Sequence, residues 1–335
     1  MADSQPASTS LAEAPMHARP SRGPSFLAIL LLVSITSCSK PSPFDPLSAT
    51  TAQVSGPAPA LGGGFGSGTF YPLTIGNHWS YEGGGASRIL STDGSPPIED
   101  FSYAFAETRQ LIGTTHHEGI AYVVEEQAHH ELPQSSNGDN VWWSRLRQDR
   151  AGLFVLDTLL QVPPTLDGGR TLRATPDQTS RPFRIDPDKF RRSGLTDAAR
   201  QALADRLELM RQAVRGITRG GTATTSNLEL TFLLYPLHHG LSWSTRPDFP
   251  WPIWVDGMET LETPAGKFLA YRLGVNPFGT TVHPGEWIFV WYSREGYLGY
   301  SIHAESPVTG PDGDPTGQVY VSDDSMRVTS VEIAR

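Results

Sequence analysis

The chain has 335 residues, 38% of them hydrophobic, with 33 glycines, 28 prolines, one cysteine and a formal charge of −9. That length is enough to bury a sizeable core. The Gly/Pro content suits a β-rich protein with many turns, and the acidic balance argues against a general nucleic-acid binder. The charge is uneven: residues 170–219 contain 12 Lys/Arg against 6 Asp/Glu, which reads as a solvated helix face and its lead-in, the alternative being contact with an anionic partner or lipid headgroups.

Arg19 and Arg22 precede an apolar run from Phe26 to Val33 that ends in Ile35-Thr36-Ser37-Cys38. The run is too short to span a bilayer comfortably and has the shape of a secretory signal. Its end resembles a lipobox, the processing signal of bacterial lipoproteins, and Met16 stands at an ordinary distance upstream for a start. The resemblance implies residues 1–37 as signal peptide, lipid attachment at Cys38, and membrane anchoring through acyl chains. The competing reading is an ordinary signal peptide with a chance cysteine. Ser39 is not an aspartate, which by the same resemblance favours the outer membrane. Residues 38–69, rich in Ser, Pro, Ala, Thr and Gly, read as a flexible tether.

A block then organises the rest. Tyr71-Pro72-Leu73 to Trp79-Ser80 follows Y-P-L-x-x-G-x-x-W-S, and the pattern returns 164 residues later from Tyr235 to Ser244. Each copy reads as a Pro/Gly turn launching a Trp-anchored strand, with Trp79 and Tyr81 on one face at period two. Loops are expected at Gly83-Gly84-Gly85 and at Asp93 to Pro97, a strand from Phe101 to Ile112, a turn from Gly113 to Gly119, and a return strand from Ile120 to Glu126. Val141 to Leu146 and Gly152 to Leu156 form a further hairpin. A first β repeat thus covers 70–162.

Residues 163–226 form an irregular connection with one helix, 196–215. Thr196 is the N-cap, Asp197 sits in the first turn, and Ala199, Leu203, Leu207, Met210 and Val214 make an apolar stripe. The stripe suits packing across a sheet; a membrane-surface role is the alternative. Arg200, Arg206, Arg211 and Arg215 take the other side.

The second repeat, 227–335, contains strands at Leu228 to Leu234, Trp254 to Glu262 and Lys267 to Val275. In Glu286 to Tyr292, Trp287, Phe289 and Trp291 share one face and Ile288, Val290 and Tyr292 the other, so cover is expected on both sides. The helix would supply one cover; a second sheet or the wall of an apolar cavity would supply the other. Trp287, Phe289 and Trp291 are accordingly the candidate ligand-binding residues, with sheet core as their plainer role.

The motifs Pro72 to Tyr81 (P-L-x-x-G-x-x-W-x-Y), Thr263 to Arg272 (T-P-A-G-x-F-x-x-Y-R) and Trp291-Tyr292 with Gly296 to Tyr300 resemble a family of bacterial envelope lipoproteins. The resemblance implies a secreted β domain and brings no established activity. Lipoprotein carriers, with a curved antiparallel sheet around a helix, are an analogy of fold alone. The expected fold is mainly β, an antiparallel meander or curved half-barrel in two related halves with one amphipathic helix.

No catalytic signature is present. The doublets His116-His117, His129-His130 and His238-His239 put neighbouring rings on opposite faces of a strand, so they read as exposed or turn histidines. His130-Glu131 lacks the second histidine of H-E-x-x-H. Neither a metal site nor a cofactor is expected. The expected function is a lipid-anchored envelope protein with a non-catalytic domain for binding or structural support. The alternatives are a carrier of a lipid or other hydrophobic ligand and a metal-dependent hydrolase. Expected partners are the membrane, through the lipid, and an envelope protein or hydrophobic ligand.

Overall fold

The computed structural model describes residues 70–132, 140–160, 163–170, 196–214, 229–245, 252–276, 286–309 and 314–334. All of them belong to the second of the two units into which the chain divides, Phe44–Arg335. The signal segment, Cys38 and the tether lie outside the described residues.

Both copies of the repeated block fold into the same turn. Asn77 N–H donates to Thr74 O (3.1 Å) and Leu241 N–H to His238 O (3.1 Å). Gly76 and Gly240 stand at φ 96° and 81°, a region that favours glycine. Each turn then docks on the second strand of its half. Gly76 donates to Leu111 O (2.8 Å) and Leu111 to Asn77 O (3.0 Å); Gly240 donates to Val255 O (3.0 Å) and Val255 to Leu241 O (2.8 Å).

From the first turn run β1 (His78–Ser91), β2 (Ile98–His117), β3 (Ile120–Leu132), β4 (Asn140–Gln148) and β5 (Gly152–Leu160), followed by helix α1 (Asp197–Val214) and β6 (Leu230–Leu234). From the second run β7 (Ser242–Ser244), β8 (Pro252–Thr263), β9 (Gly266–Val275), β10 (Trp287–Ser293), β11 (Gly296–Thr309) and β12 (Pro315–Glu332). Each half is a meander. They join along β1 and β12, giving one antiparallel sheet in the order β6-β5-β4-β3-β2-β1-β12-β11-β10-β9-β8-β7.

The two ends of that order, β6 and β7, are neighbours in sequence, separated only by residues 235–241. Thr231 N–H donates to Thr245 O (3.1 Å), and Trp243 Nε1–H donates to Thr231 O (3.2 Å). So short a link brings the far edges together, and the sheet is nearly closed into a barrel. Closure removes the exposed edges that an open sheet would present.

Register assigns the inner face. Trp79, Tyr81, Gly83 and Gly85 stand opposite Arg109, Glu107, Phe105 and Tyr103 on one side, and opposite Val331, Val328, Met326 and Asp324 on the other. Trp79, Tyr81, Met326 and Val328 are all buried. The Gly83-Gly84-Gly85 run lies inside β1 rather than in a loop. A Cβ at Gly83 would sit 2.6 Å from the Ser325 carbonyl oxygen and run into the Phe105 ring; at Gly85 it would sit 2.5 Å from the Tyr103 hydroxyl. The glycines clear space for two rings. The stretch expected as a turn from Gly113 to Gly119 is likewise strand as far as His117. A register shift between Leu111 and Gly113 absorbs the extra residue, and the turn shrinks to Glu118 and Gly119, both at positive φ.

Helix α1 packs on β10 and β11. Leu203, Leu207 and Met210 are buried in the main core with Ile288, Val290, Tyr300 and Ile302; the side chains of Ala199 and Val214, and Arg215, lie outside the described residues. The arginines expected on a solvated face are engaged instead. Arg206 Nε donates to Glu286 (3.0 Å), and Arg211 Nε donates to Asp324 (2.6 Å) with its guanidinium 4.4 Å from the Tyr103 ring centre. A smaller cluster of Val124, Trp143 and Leu166, with Ile112 and Val141 against it, lies apart from the main core.

Candidate functional site

Trp287, Phe289 and Trp291 share the face of β10 opposite the helix, where Trp291 is buried as part of the main core, Phe289 packs against that core, and Trp287 stands at the exposed end. Trp287 is 36% exposed and Trp291 6%. The cover comes from neighbouring strands. Trp287 stacks on Phe289 (5.3 Å between centroids) and on His303 of β11 (5.6 Å). The Arg272 guanidinium of β9 lies 5.0 Å from the Phe289 ring centre and that of Arg327 on β12 4.4 Å from Trp291. Trp291 Nε1–H donates to Glu259 (2.6 Å). The three aromatics therefore form the floor of a mixed aromatic and charged strip. His303 is held between Asp323 (2.6 Å) and Glu305 (3.1 Å), and those hydrogen bonds raise its pKa from the ordinary value against a smaller opposing effect of burial.

A second cluster went unrecognised in the sequence. Period two places Glu107 and Arg109 of β2, and Glu125, Gln127 and His129 of β3, on the inner face together. Register pairs Glu107 with His129, Arg109 with Gln127, and Leu111 with Glu125; Ser144 of β4 stands opposite Glu125. All these polar residues are buried. Arg109 Nε donates to Glu107 Oε1 (2.9 Å), Gln127 Nε2 donates to Glu125 Oε2 (2.5 Å), and the Tyr71 hydroxyl donates to Glu125 Oε1. His129 Nδ1 lies 3.7 Å from Glu107 Oε2, and its ring packs on Phe105 (4.8 Å). The Arg109 guanidinium lies 4.5 Å from the Tyr297 ring centre and 5.4 Å from that of Tyr81.

Burial pushes the Glu125 carboxyl above the usual carboxylate range despite Arg109 and its two donors. Burial also holds the Tyr71, Tyr81 and Tyr292 hydroxyls well above their ordinary value, with Glu125 adding to each. Arg109 is pulled down by burial, but Glu107 and Glu125 outweigh it and keep it charged. The space at this cluster is about 20 Å³, lined in part by Arg109, Glu125, Gln127 and Ser144. That is far below the several hundred Å³ of a small-molecule site. Chemically the cluster is a charge-paired knot tying β2, β3 and β4.

The doublet His129-His130 departs from the expected exposed or turn position, because β3 runs on to Leu132 and sends one ring inward. His116, by contrast, is exposed and bonded to Asp167 (3.0 Å), and His238 and His239 are exposed beside backbone carbonyls. Among the described residues, no group of three or more His, Cys, Asp or Glu is placed to hold a metal ion. The sequence did carry a signal for the inner knot: Glu107 and Arg109 continue the face of Tyr103 and Phe105 without a break in period.

Fold and site together define a nearly closed, up-and-down antiparallel barrel with one helix and a polar-aromatic inner face. No protein-family profile matches the chain, and no curated protein matches it. Among solved structures it is similar to a candidate lipoprotein from Parabacteroides distasonis (11% identity, TM-score 0.31, 79% of this chain and 99% of that one). It is also similar to a candidate exported protein with a YmcC-like fold from Bacteroides fragilis (10%, TM-score 0.32, 79% and 100%). A third is a DUF1329 family protein from Desulfovibrio piger (11%, TM-score 0.19, 76% and 87%). Overlap this loose says nothing about what the chain does.

Proposed function

We propose that the protein is a lipid-anchored component of the bacterial envelope, probing partners through the outside of its barrel rather than carrying a ligand within it, and without catalysis. The observation behind this reading is that, among the described residues, a helix and long side chains occupy the inner face. Helix α1 occupies the side of β10 and β11, the Glu107–Arg109–Glu125 knot occupies the side of β2 to β4, and the space at the knot is about 20 Å³. The lipobox at Cys38 supports the anchor, and Ser39 supports the outer membrane. The exposed edge of the Trp287 strip, ringed by Arg272, His303 and Asp323, is where an envelope protein would meet the barrel. Nucleic acid is disfavoured as a partner by the charge of −9.

Native mass spectrometry of the protein purified from its own host tests this. The expected masses are the chain plus the acyl groups on Cys38. A stoichiometric co-purified lipid would replace the reading with a hydrophobic-ligand carrier, and one equivalent of zinc would replace it with a metal-dependent hydrolase. Cys38→Ser should move the protein from the membrane to the soluble fraction; membrane retention without a change in mass would refute the anchor.

A further inference from the structure

Two facing residues of the inner knot, Arg109 and Gln127, each leave a polar atom over. Among the described residues, Arg109 Nη2 and Gln127 Oε1 are buried without a hydrogen-bond partner, on side chains whose residues are 5% and 4% exposed. Arg109 Nη2 lies 2.9 Å from Glu107 Oε1, but the hydrogen bond to that oxygen comes from Nε–H. The Nη2 contact is one of charge, with its N–H groups aimed elsewhere. The Gln127 amide is oriented by the network: its Nε2–H faces the Glu125 carboxylate, which turns Oε1 away from it.

The two residues stand opposite each other in the β2–β3 register and both line the 20 Å³ cavity, with Glu125 and Ser144 on the same wall. One atom is a donor and the other an acceptor. A water molecule needs about 10–15 Å³ of such space and two to four polar partners. We propose that this cavity is a built site for one water molecule, which accepts from Arg109 Nη2 and donates to Gln127 Oε1, with Glu125 and Ser144 supplying its remaining partners.

Size and charge select the occupant. An apolar guest would leave both atoms unmet, and a buried polar atom is normally satisfied by protein or ordered water. A halide would gain from Arg109 but would sit beside Glu107 and Glu125, and Arg109 is already paired with Glu107. Water alone offers a donor to Gln127 and an acceptor to Arg109 in so small a space. Bound there, it joins β2 to β3 beside the Tyr71–Glu125 bond, where the first repeated block enters the barrel.

A crystal structure of the full chain purified in detergent, at a resolution that shows ordered water, decides the matter when paired with a bromide soak. The expected result is one peak within hydrogen-bond reach of Arg109 Nη2 and Gln127 Oε1, with no anomalous signal. An empty cavity, a direct Arg109–Gln127 hydrogen bond, or an anomalous bromide peak would each overturn the proposal. Gln127→Met keeps the length of the side chain and removes the acceptor. The peak should vanish or lose most of its occupancy while its neighbours stay in place, and a peak unchanged in the variant would overturn the assignment to Gln127. If the variant does not fold, the wild-type density alone decides.

Discussion

Replacing Asp324 with alanine should loosen α1 from the barrel more than any other single loss of charge in the helix's contacts. Three donors converge on this carboxylate: the Tyr103 hydroxyl (2.6 Å), the Tyr300 hydroxyl (3.1 Å) and Arg211 Nε (2.6 Å). The side chains of the ion pair are 16% exposed at Arg211 and 5% at Asp324. Removing one partner of a buried pair costs about 3–5 kcal/mol, since it strands the other charge. Arg211 reaches some water and keeps its contact with Tyr103, which places the cost near the lower end, about 3 kcal/mol. The two tyrosine hydrogen bonds do not add in full, because all three bonds share one acceptor.

Urea unfolding followed by tryptophan fluorescence measures this, with slopes compared to confirm that the midpoint alone has moved. Arg211→Met in the Asp324→Ala background removes the stranded charge, so the double variant should be less destabilised than the two single losses together, by about 1–3 kcal/mol. The Lys267–Glu262 pair is the control. It is short, but its side chains are 71% and 68% exposed, and its removal should cost under about 1 kcal/mol. Asp324→Ala within about 0.5 kcal/mol of wild type, the usual range of a surface change, would refute the docking of α1 through this carboxylate, as would strict additivity with Arg211→Met.

Three other outcomes follow from the same geometry. Because burial raises the Glu125 carboxyl, the folded state holds its proton more tightly than the unfolded state; that contribution is full below the ordinary carboxylate range, about 4.3, and is lost as pH rises through the folded value. Glu125→Gln should therefore gain stability relative to wild type as pH rises from that range, and a difference that stays flat with pH would count against the raised carboxyl. Gly83→Ala should cost about 1–3 kcal/mol by overpacking against Phe105 and the Ser325 carbonyl, whereas Gly257→Ala, with open space around its Cβ, should be neutral or mildly stabilising in the same melts. Trp287→Ala removes ring contacts worth about 0.5–1.5 kcal/mol and should leave a folded barrel by circular dichroism; loss of fold would mean the strip is structural and closed to partners.

The elements that a local pattern defines were legible in the sequence. The repeated block marks the start of β1 and β7, one offset of 164 residues apart, because the turn needs its glycine at positive φ wherever it occurs. Trp79 and Tyr81 were placed on one buried face by period two, and the helix by its stripe. What failed depended on residues far along the chain. Gly83-Gly84-Gly85 looks like a loop until Phe105 and Tyr103 are seen lying across it. Arg206 and Arg211 look solvated until Glu286 and Asp324, 80 and 113 residues away, are brought to them. The strand of Trp287 and Trp291 reads as covered on both faces, and part of that cover comes from arginines of β9 and β12 over Phe289 and Trp291, a contact that leaves no trace in the strand's own pattern.

The polar interior has a geometric cause. Small barrels of eight strands are filled by their own side chains, and wider ones leave space that must be plugged, hydrated or given to a ligand. Twelve strands in one ladder make a wide barrel. Helix α1 fills the part beside β10 and β11, and it can do so only because Arg206 and Arg211 find carboxylates there. Beside β2, β3 and β4 no helix is placed among the described residues, and the filling falls to long side chains that reach inward: Arg109, Glu107, Gln127, Glu125 and the ring of Tyr71. Such side chains bring polar ends that must be paired, which explains why charge appears on an aromatic face and why a water-sized gap remains among them. The same filling that makes the interior polar leaves only about 20 Å³ among Arg109, Glu125, Gln127 and Ser144.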